Sequence, residues 1–170
     1  ALFRNTLRVV RMLRSTTDVS KCVIWLGGDL IDNWLHPDQV ETQVLSPTQQ
    51  LIECERAIVA GLDHLLEHGD FQQIIVPCSF GNHGRTTDKM RAGNAAATSY
   101  EWLMYQSLRR HYRQEPRIGF DISEGNILYV DVLGHRLRFH HGDAIRYGGG
   151  VGGITIPLQK WVYRQDQGIK

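Results

Sequence analysis

The order of its apolar runs limits this chain more than any other feature. Cys22-Val23-Ile24-Trp25-Leu26 is one unbroken apolar run, and Gln73-Ile74-Ile75-Val76-Pro77-Cys78 is a second. Such runs mark strands covered on both faces. Between them, Ser46-Pro47 reads as a helix N-cap followed by proline at the first helical position, and Gly69 reads as a stop. The spacing predicts a helix to about His68, with Ile52, Ala57, Ile58, Leu62, Leu65 and Leu66 on its buried stripe. Early strands separated by helices favour parallel pairing.

The remaining segments extend this plan. Residues 2–14 carry apolar side chains at 3, 7, 10 and 13 with arginines between, an amphipathic helical pattern. Residues 33–45 and 84–96 lack a period and read as loops, and Ala97 to Tyr112 reads as a second long helix with Trp102, Leu103, Tyr105 and Leu108 inward. Residues 126–132 and 136–140 alternate on either side of Leu133-Gly134-His135, the pattern of a β-hairpin. The glycine-rich stretch Gly148–Gly153 precedes Ile154–Pro157 and a short helix. Trp25 and Trp102 lie in apolar stripes and are expected in the core. The expected fold is a mixed α/β layered sandwich, with residues 1–170 as one domain.

Composition narrows the setting. Hydrophobic residues make up 42% and charged residues 22%, ordinary for a globular chain, and the formal net charge of +1 creates no global field toward nucleic acid or anionic lipid. The three cysteines, Cys22, Cys54 and Cys78, are odd in number and sit in apolar runs, so buried thiols in a reducing cytoplasm are expected rather than a disulfide framework. No run of about 18 apolar residues is present to span a membrane, and the start shows no signal-peptide pattern. The chain opens on Ala1, without Met, straight into a helical pattern, and ends abruptly at Lys170; an internal piece of a longer chain is expected.

Chemistry-bearing residues gather at the ends of the apolar runs. Gly27-Gly28-Asp29-Leu30-Ile31-Asp32-Asn33 follows the first, Gly81-Asn82-His83-Gly84 follows the second, and His140-His141-Gly142-Asp143 follows the hairpin. In α/β sheets ligands bind beyond the carboxyl ends of the strands, so all three strings are expected on one rim. Asp29 offers an anionic oxygen, Asn82 a neutral oxygen and His141 a nitrogen, a donor set suited to Mn, Fe, Zn and similar ions more than to Ca. Two such ions clamp a phosphoryl group and activate a water, and His83 is placed to protonate the leaving oxygen. Strand alternation sends His140 and His141 to opposite faces.

The strings resemble the calcineurin-like metallophosphoesterases. That family reads Asp-x-His, Gly-Asp-x-x-Asp, Gly-Asn-His-Asp/Glu, a His before Gly, and Gly-His-x-His. Here Gly28-Asp29-Leu30-Ile31-Asp32 matches the second block, Gly81-Asn82-His83 the third and His141-Gly142 the fourth. The resemblance covers about residues 22–142. It implies an αββα sandwich of the metallo-dependent phosphatase type, with mixed sheets. It also implies a phosphatase, phosphodiesterase or DNA nuclease using two divalent ions, Mn first among Fe, Zn, Ni and Mg, and a metal-bound hydroxide. Asp29 would bridge the ions, Asn82 and His141 would hold the second ion, His83 would be catalytic, and Asp32 would orient its loop or support the ligands.

The chain also departs from the pattern. The first and last blocks are absent, and Gly84 stands where the family has Asp or Glu. That acidic residue normally supports the catalytic histidine. A non-catalytic interaction module retaining the fold is therefore the alternative reading. Arg85 and Arg91 suit phosphate oxygens, with solvated loop charge as the other reading. Lys89 and the Arg109-Arg110-His111-Tyr112-Arg113 run permit nucleic acid as the phosphoester partner. The glycines from Gly148 to Gly153 read as a site-flanking loop or a plain turn, and Asp143 as a polar site residue or a loop cap.

Overall fold

A computed structural model describes residues 2–89, 92–145 and 153–166. The chain divides into two compact units, Ala1–His140 and His141–Lys170. In the first, α1 (Leu2–Leu13) leads to β1 (Lys21–Val23), a short α2 (Pro37–Thr42), α3 (Pro47–His68) and β2 (Gln73–Cys78). Two single 3-10 turns, α4 (Tyr100–His111), β3 (Ile118–Ile122) and the hairpin strands β4 (Leu128–Val132) and β5 (His135–Phe139) follow. In the second unit the described helix is α5 (Thr155–Asp166).

The fold is mixed α/β, with a three-stranded parallel sheet of order β1-β2-β3 and a two-stranded antiparallel sheet. β1 is longer in effect than its three regular residues. Ile24 and Leu26 donate to the carbonyls of Ile75 and Pro77, both at 2.9 Å, and Leu26 bridges Cys78 in the same register. Alternate residues Cys22, Ile24 and Leu26, with Ile74, Val76 and Cys78 of β2, pack into one core with Leu7 and Val10 of α1, Ile58, Leu62 and Leu65 of α3 and Met104, Tyr105 and Leu108 of α4. On the other face the Trp25 ring lies 5.7 Å from Phe139 of β5.

Several expectations hold and others shift for identifiable reasons. α3 begins after Ser46, whose hydroxyl accepts from Gln49 N–H while the Gln49 side chain returns to the Ser46 N–H, a full capping box. Ile52 and Ala57, expected on the buried stripe, face outward; Ile52 is 57% exposed. α4 starts at Tyr100, later than expected, because Ser99 supplies the cap by accepting from Trp102 N–H. Its inward phase runs through Glu101, Met104, Tyr105 and Leu108, which turns Leu103 to solvent. Trp102 is partly buried against the core, whereas Trp25, on the edge strand, is 45% exposed.

Two elements were not expected. α2 forms within the polar stretch 33–45, started by Pro37 behind the His36 cap. β3 completes the parallel sheet, although Gly119 and Asp121 occupy its outward positions and dilute its apolar signal. In the stretch 84–96 the described residues include a 3-10 turn at Ala92–Asn94, followed by another at Ala96–Thr98. The glycine-rich stretch lies outside the described residues except for Gly153.

The three cysteines are free. Burial pushes all three thiols up, Cys54 to about 11 with the Glu101 and Glu55 charges adding to the effect. Among the described residues no helix is long and apolar enough to cross a membrane.

Candidate functional site

The carboxyl ends of β1 and β2 release two loops that meet backbone to backbone. Gly28 has φ +84°, and a Cβ there would lie 2.4 Å from Gly81 N and 2.7 Å from Gly81 Cα. A Cβ on Gly81 would lie 2.0 Å from Asp29 Oδ1. Both positions therefore require glycine. The contact brings the second and third sequence blocks side by side: Asp29 Oδ1 accepts from the His83 N–H at 2.9 Å.

Four expected residues share this rim. Asp29 is exposed on left-handed backbone at φ +52°, and Asn82 and His83 are half-buried. His83 Nδ1 lies 2.9 Å from Asp32 Oδ1. A carboxylate only accepts, so Nδ1 carries the hydrogen in this pair. That leaves Nε2 as the ring nitrogen able to exchange a proton. Asp32 is itself gripped, with Gln39 Nε2 donating to Oδ1 at 3.3 Å and Gln43 Nε2 donating to Oδ2. Gln50 Oε1 accepts from the N–H groups of Asp32 and Asn33 at 3.0 and 3.2 Å, and its own amide donates to Gln43 Oε1 at 2.7 Å.

Arg85 donates from Nε to the Thr87 carbonyl at 3.0 Å, from one terminal nitrogen to Asn82 O and from the other to Asp88 O at 3.2 Å. Its guanidinium thus shapes its own loop. Arg91 lies outside the described residues. His141 opens the second unit, with Gly142 after it at φ +107° and Asp143 exposed in the following turn. β5 ends at Phe139, so the pleat expected to separate His140 from His141 stops before them. In the Arg109–Arg113 run, Tyr112 is a core residue whose hydroxyl donates to Asp63 Oδ1 at 2.7 Å, so its ring is withdrawn from any stacking surface.

Three features of the rim were not visible in the motif blocks. Asn33, 7% exposed at φ +62°, donates from its amide to the carbonyls of His83 and Arg85 at 2.9 and 2.7 Å. The glutamines of α2 and α3 hold Asp32. Glu101 of α4 is fully buried, and its two oxygens accept from Leu30 N–H and Gly81 N–H, each at 2.6 Å, with the Asp29 N–H as a further donor. Burial pushes the Glu101 carboxyl up, the backbone donors pull it back, and the Asp29 carboxylate adds to the upward push. One helical turn on, Tyr105 Oη donates to Ser79 O at 3.1 Å. An acid on the same stripe as Tyr105 and Leu108 was the available signal for Glu101.

Among the described residues no three His, Cys, Asp or Glu side chains gather as a metal-binding group. The implied set is of a different kind: one carboxylate, one amide and one imidazole. No family model, no curated protein and no solved structure matches this chain.

Proposed function

We propose that the chain is a metal-dependent phosphoester hydrolase of the calcineurin-like kind, built on an αββα sandwich of the metallo-dependent phosphatase type. One observation carries the reading. Asp29, Asp32, Asn82 and His83, the residues of two separate motif blocks, meet on one rim, with His83 oriented by Asp32 at 2.9 Å. Brought together in this way, they supply an anionic oxygen, an amide oxygen and a proton-exchanging imidazole at the carboxyl edge of a parallel sheet.

In this reading Asp29 and Asn82 would hold divalent metal, Mn first; a carboxylate and an amide oxygen suit such an ion. Metal held there would supply charge neutralisation for phosphoryl oxygens and a lowered water pKa. The chain's own residues do the rest. The His83 N–H holds Asp29 in place, Asp32 sets the tautomer and ring direction of His83, and Nε2 gives a proton to the departing oxygen. Arg85 holds the loop that presents Asn82.

Hydrolysis of bis(p-nitrophenyl) phosphate with Mn added tests this. His83→Ala is expected to lower kcat by roughly 10²–10⁴-fold, and Asp29→Ala to remove the response to Mn. Unchanged hydrolysis in both variants overturns the assignment, and a parent chain without hydrolysis favours the non-catalytic module. DNA compared with nucleotide substrates then separates nuclease from phosphatase.

A further inference from the structure

We propose that Glu101 and Gly84 act as one unit. Glu101 is the positioning residue that locks the two site loops together, and Gly84 is glycine because the Glu101 side chain fills the space in front of it. This inference rests on the reading of the rim as a hydrolase site only for its effect on catalysis.

The geometry separates this glycine from the others of the rim. Gly28 is held at a positive φ, whereas Gly84 has no left-handed backbone. Nothing in its own conformation excludes a side chain. What excludes one is Glu101. A Cβ on Gly84 would lie 2.8 Å from Glu101 Cγ, 3.2 Å from its Cδ and 3.2 Å from Oε2. The neighbourhood is fixed by backbone, since Tyr100 N–H donates to Gly84 O at 2.8 Å, Thr86 N–H donates to Thr98 O at 2.8 Å, and Arg85 bridges Ser99. The Glu101 side chain is itself held in front of Gly84 by its bonds to the Leu30 and Gly81 N–H groups.

The carboxylate serves donors on both loops. Its oxygens take Leu30 N–H from the loop after β1 and Gly81 N–H from the loop after β2. Asp29 and Asn82, both given chemical roles above, are the chain neighbours of those anchor points, and His83 follows Asn82. A carboxyl borne by residue 84 would enter the same volume, so two positions compete to supply one acid.

The test is a relocation cycle: Glu101→Ala, Gly84→Glu, and the double variant, each read by amide hydrogen exchange at Leu30 and Gly81 and by Mn-supported hydrolysis. Glu101→Ala is expected to speed exchange at both amides by at least about tenfold and to lower hydrolysis by about 10²-fold through misplaced site groups. Gly84→Glu alone is damaged by crowding. The double variant, with its acid moved to residue 84, recovers protection and most of the hydrolysis, a coupling that independent sites do not produce. Unchanged protection in Glu101→Ala, or a double variant no better than the two single ones, overturns the proposal. If no version hydrolyses the substrate while protection follows the cycle, the hydrolase reading fails and the brace stands. If the parent hydrolyses and Glu101→Ala matches it in both readouts, the brace fails and the hydrolase reading stands.

Discussion

The β4–β5 hairpin and the rim of the parallel sheet both hold backbone in turns, and they do so by opposite means. The hairpin pairs Leu128 with Phe139 through to Val132 with His135, so its main chain satisfies itself. Across it, Arg136 and Arg138 lie over the exposed Tyr129 ring at 5.0 and 5.3 Å. The rim loops have no such ladder. Their shape depends on single side chains reaching from elsewhere: Glu101 from α4, Asn33 from the neighbouring loop and Gln50 from α3. A ladder spreads its stabilisation over many bonds, whereas a brace concentrates it in one or two. Substitutions should therefore be costly at the rim and mild in the hairpin.

The sharpest test of that contrast is Gly28→Ala. The new methyl meets the backbone of Gly81 and Phe80, which cannot move aside, and it must also adopt φ +84°. Left-handed strain and overpacking together predict a loss of about 3 kcal/mol or more in urea unfolding. A loss below about 1 kcal/mol would show that the two loops slide freely, and the contrast with the hairpin would collapse.

Next comes Asn33→Ala. It removes both amide donors to the His83 and Arg85 carbonyls and places a Cβ-bearing residue without local hydrogen bonding at φ +62°. Unpaired carbonyls at a part-buried position and the strained backbone predict about 2 kcal/mol. Asn33→Gly relieves the strain alone, so the gap between the two variants measures the backbone share. Equal stability of Asn33→Ala and the parent would sink the brace idea at this position.

The same contrast explains what could be read in the sequence. α3, β2 and the hairpin were legible because their information is local: a cap, a period, a turn. β3 was not, since its five residues include Gly119 and Asp121, and only pairing with β2 makes it a strand. Periodicity points Leu103 inward, but Glu101 holds the stripe position an apolar residue would normally take. At the rim the motif blocks named Asp29, Asn82 and His83, whose identities carry the chemistry. They could not name Glu101 or Gln50, whose partners lie far along the chain, |i−j| of 71 and 18, and are set by tertiary packing.

The smallest effect is expected in the hairpin turn and should have the opposite sign. Leu133 and Gly134 are the two central residues, at φ +51° and +80°, the pattern of a turn that favours Asn-Gly. Leu133 is 77% exposed, so its side chain stabilises little by burial while its backbone is held where a leucine is strained. Leu133→Asn keeps the turn and relieves the strain, and a gain of about 0.5–1 kcal/mol in the urea midpoint at constant slope is expected. The gain should leave hydrolysis and the protection of Leu30 and Gly81 unchanged, because the hairpin ladder and the rim braces share none of those hydrogen bonds. A loss of stability would mean that the Leu133 side chain has a partner worth more than its strained backbone costs, and the hairpin would then rely on single side chains as the rim does.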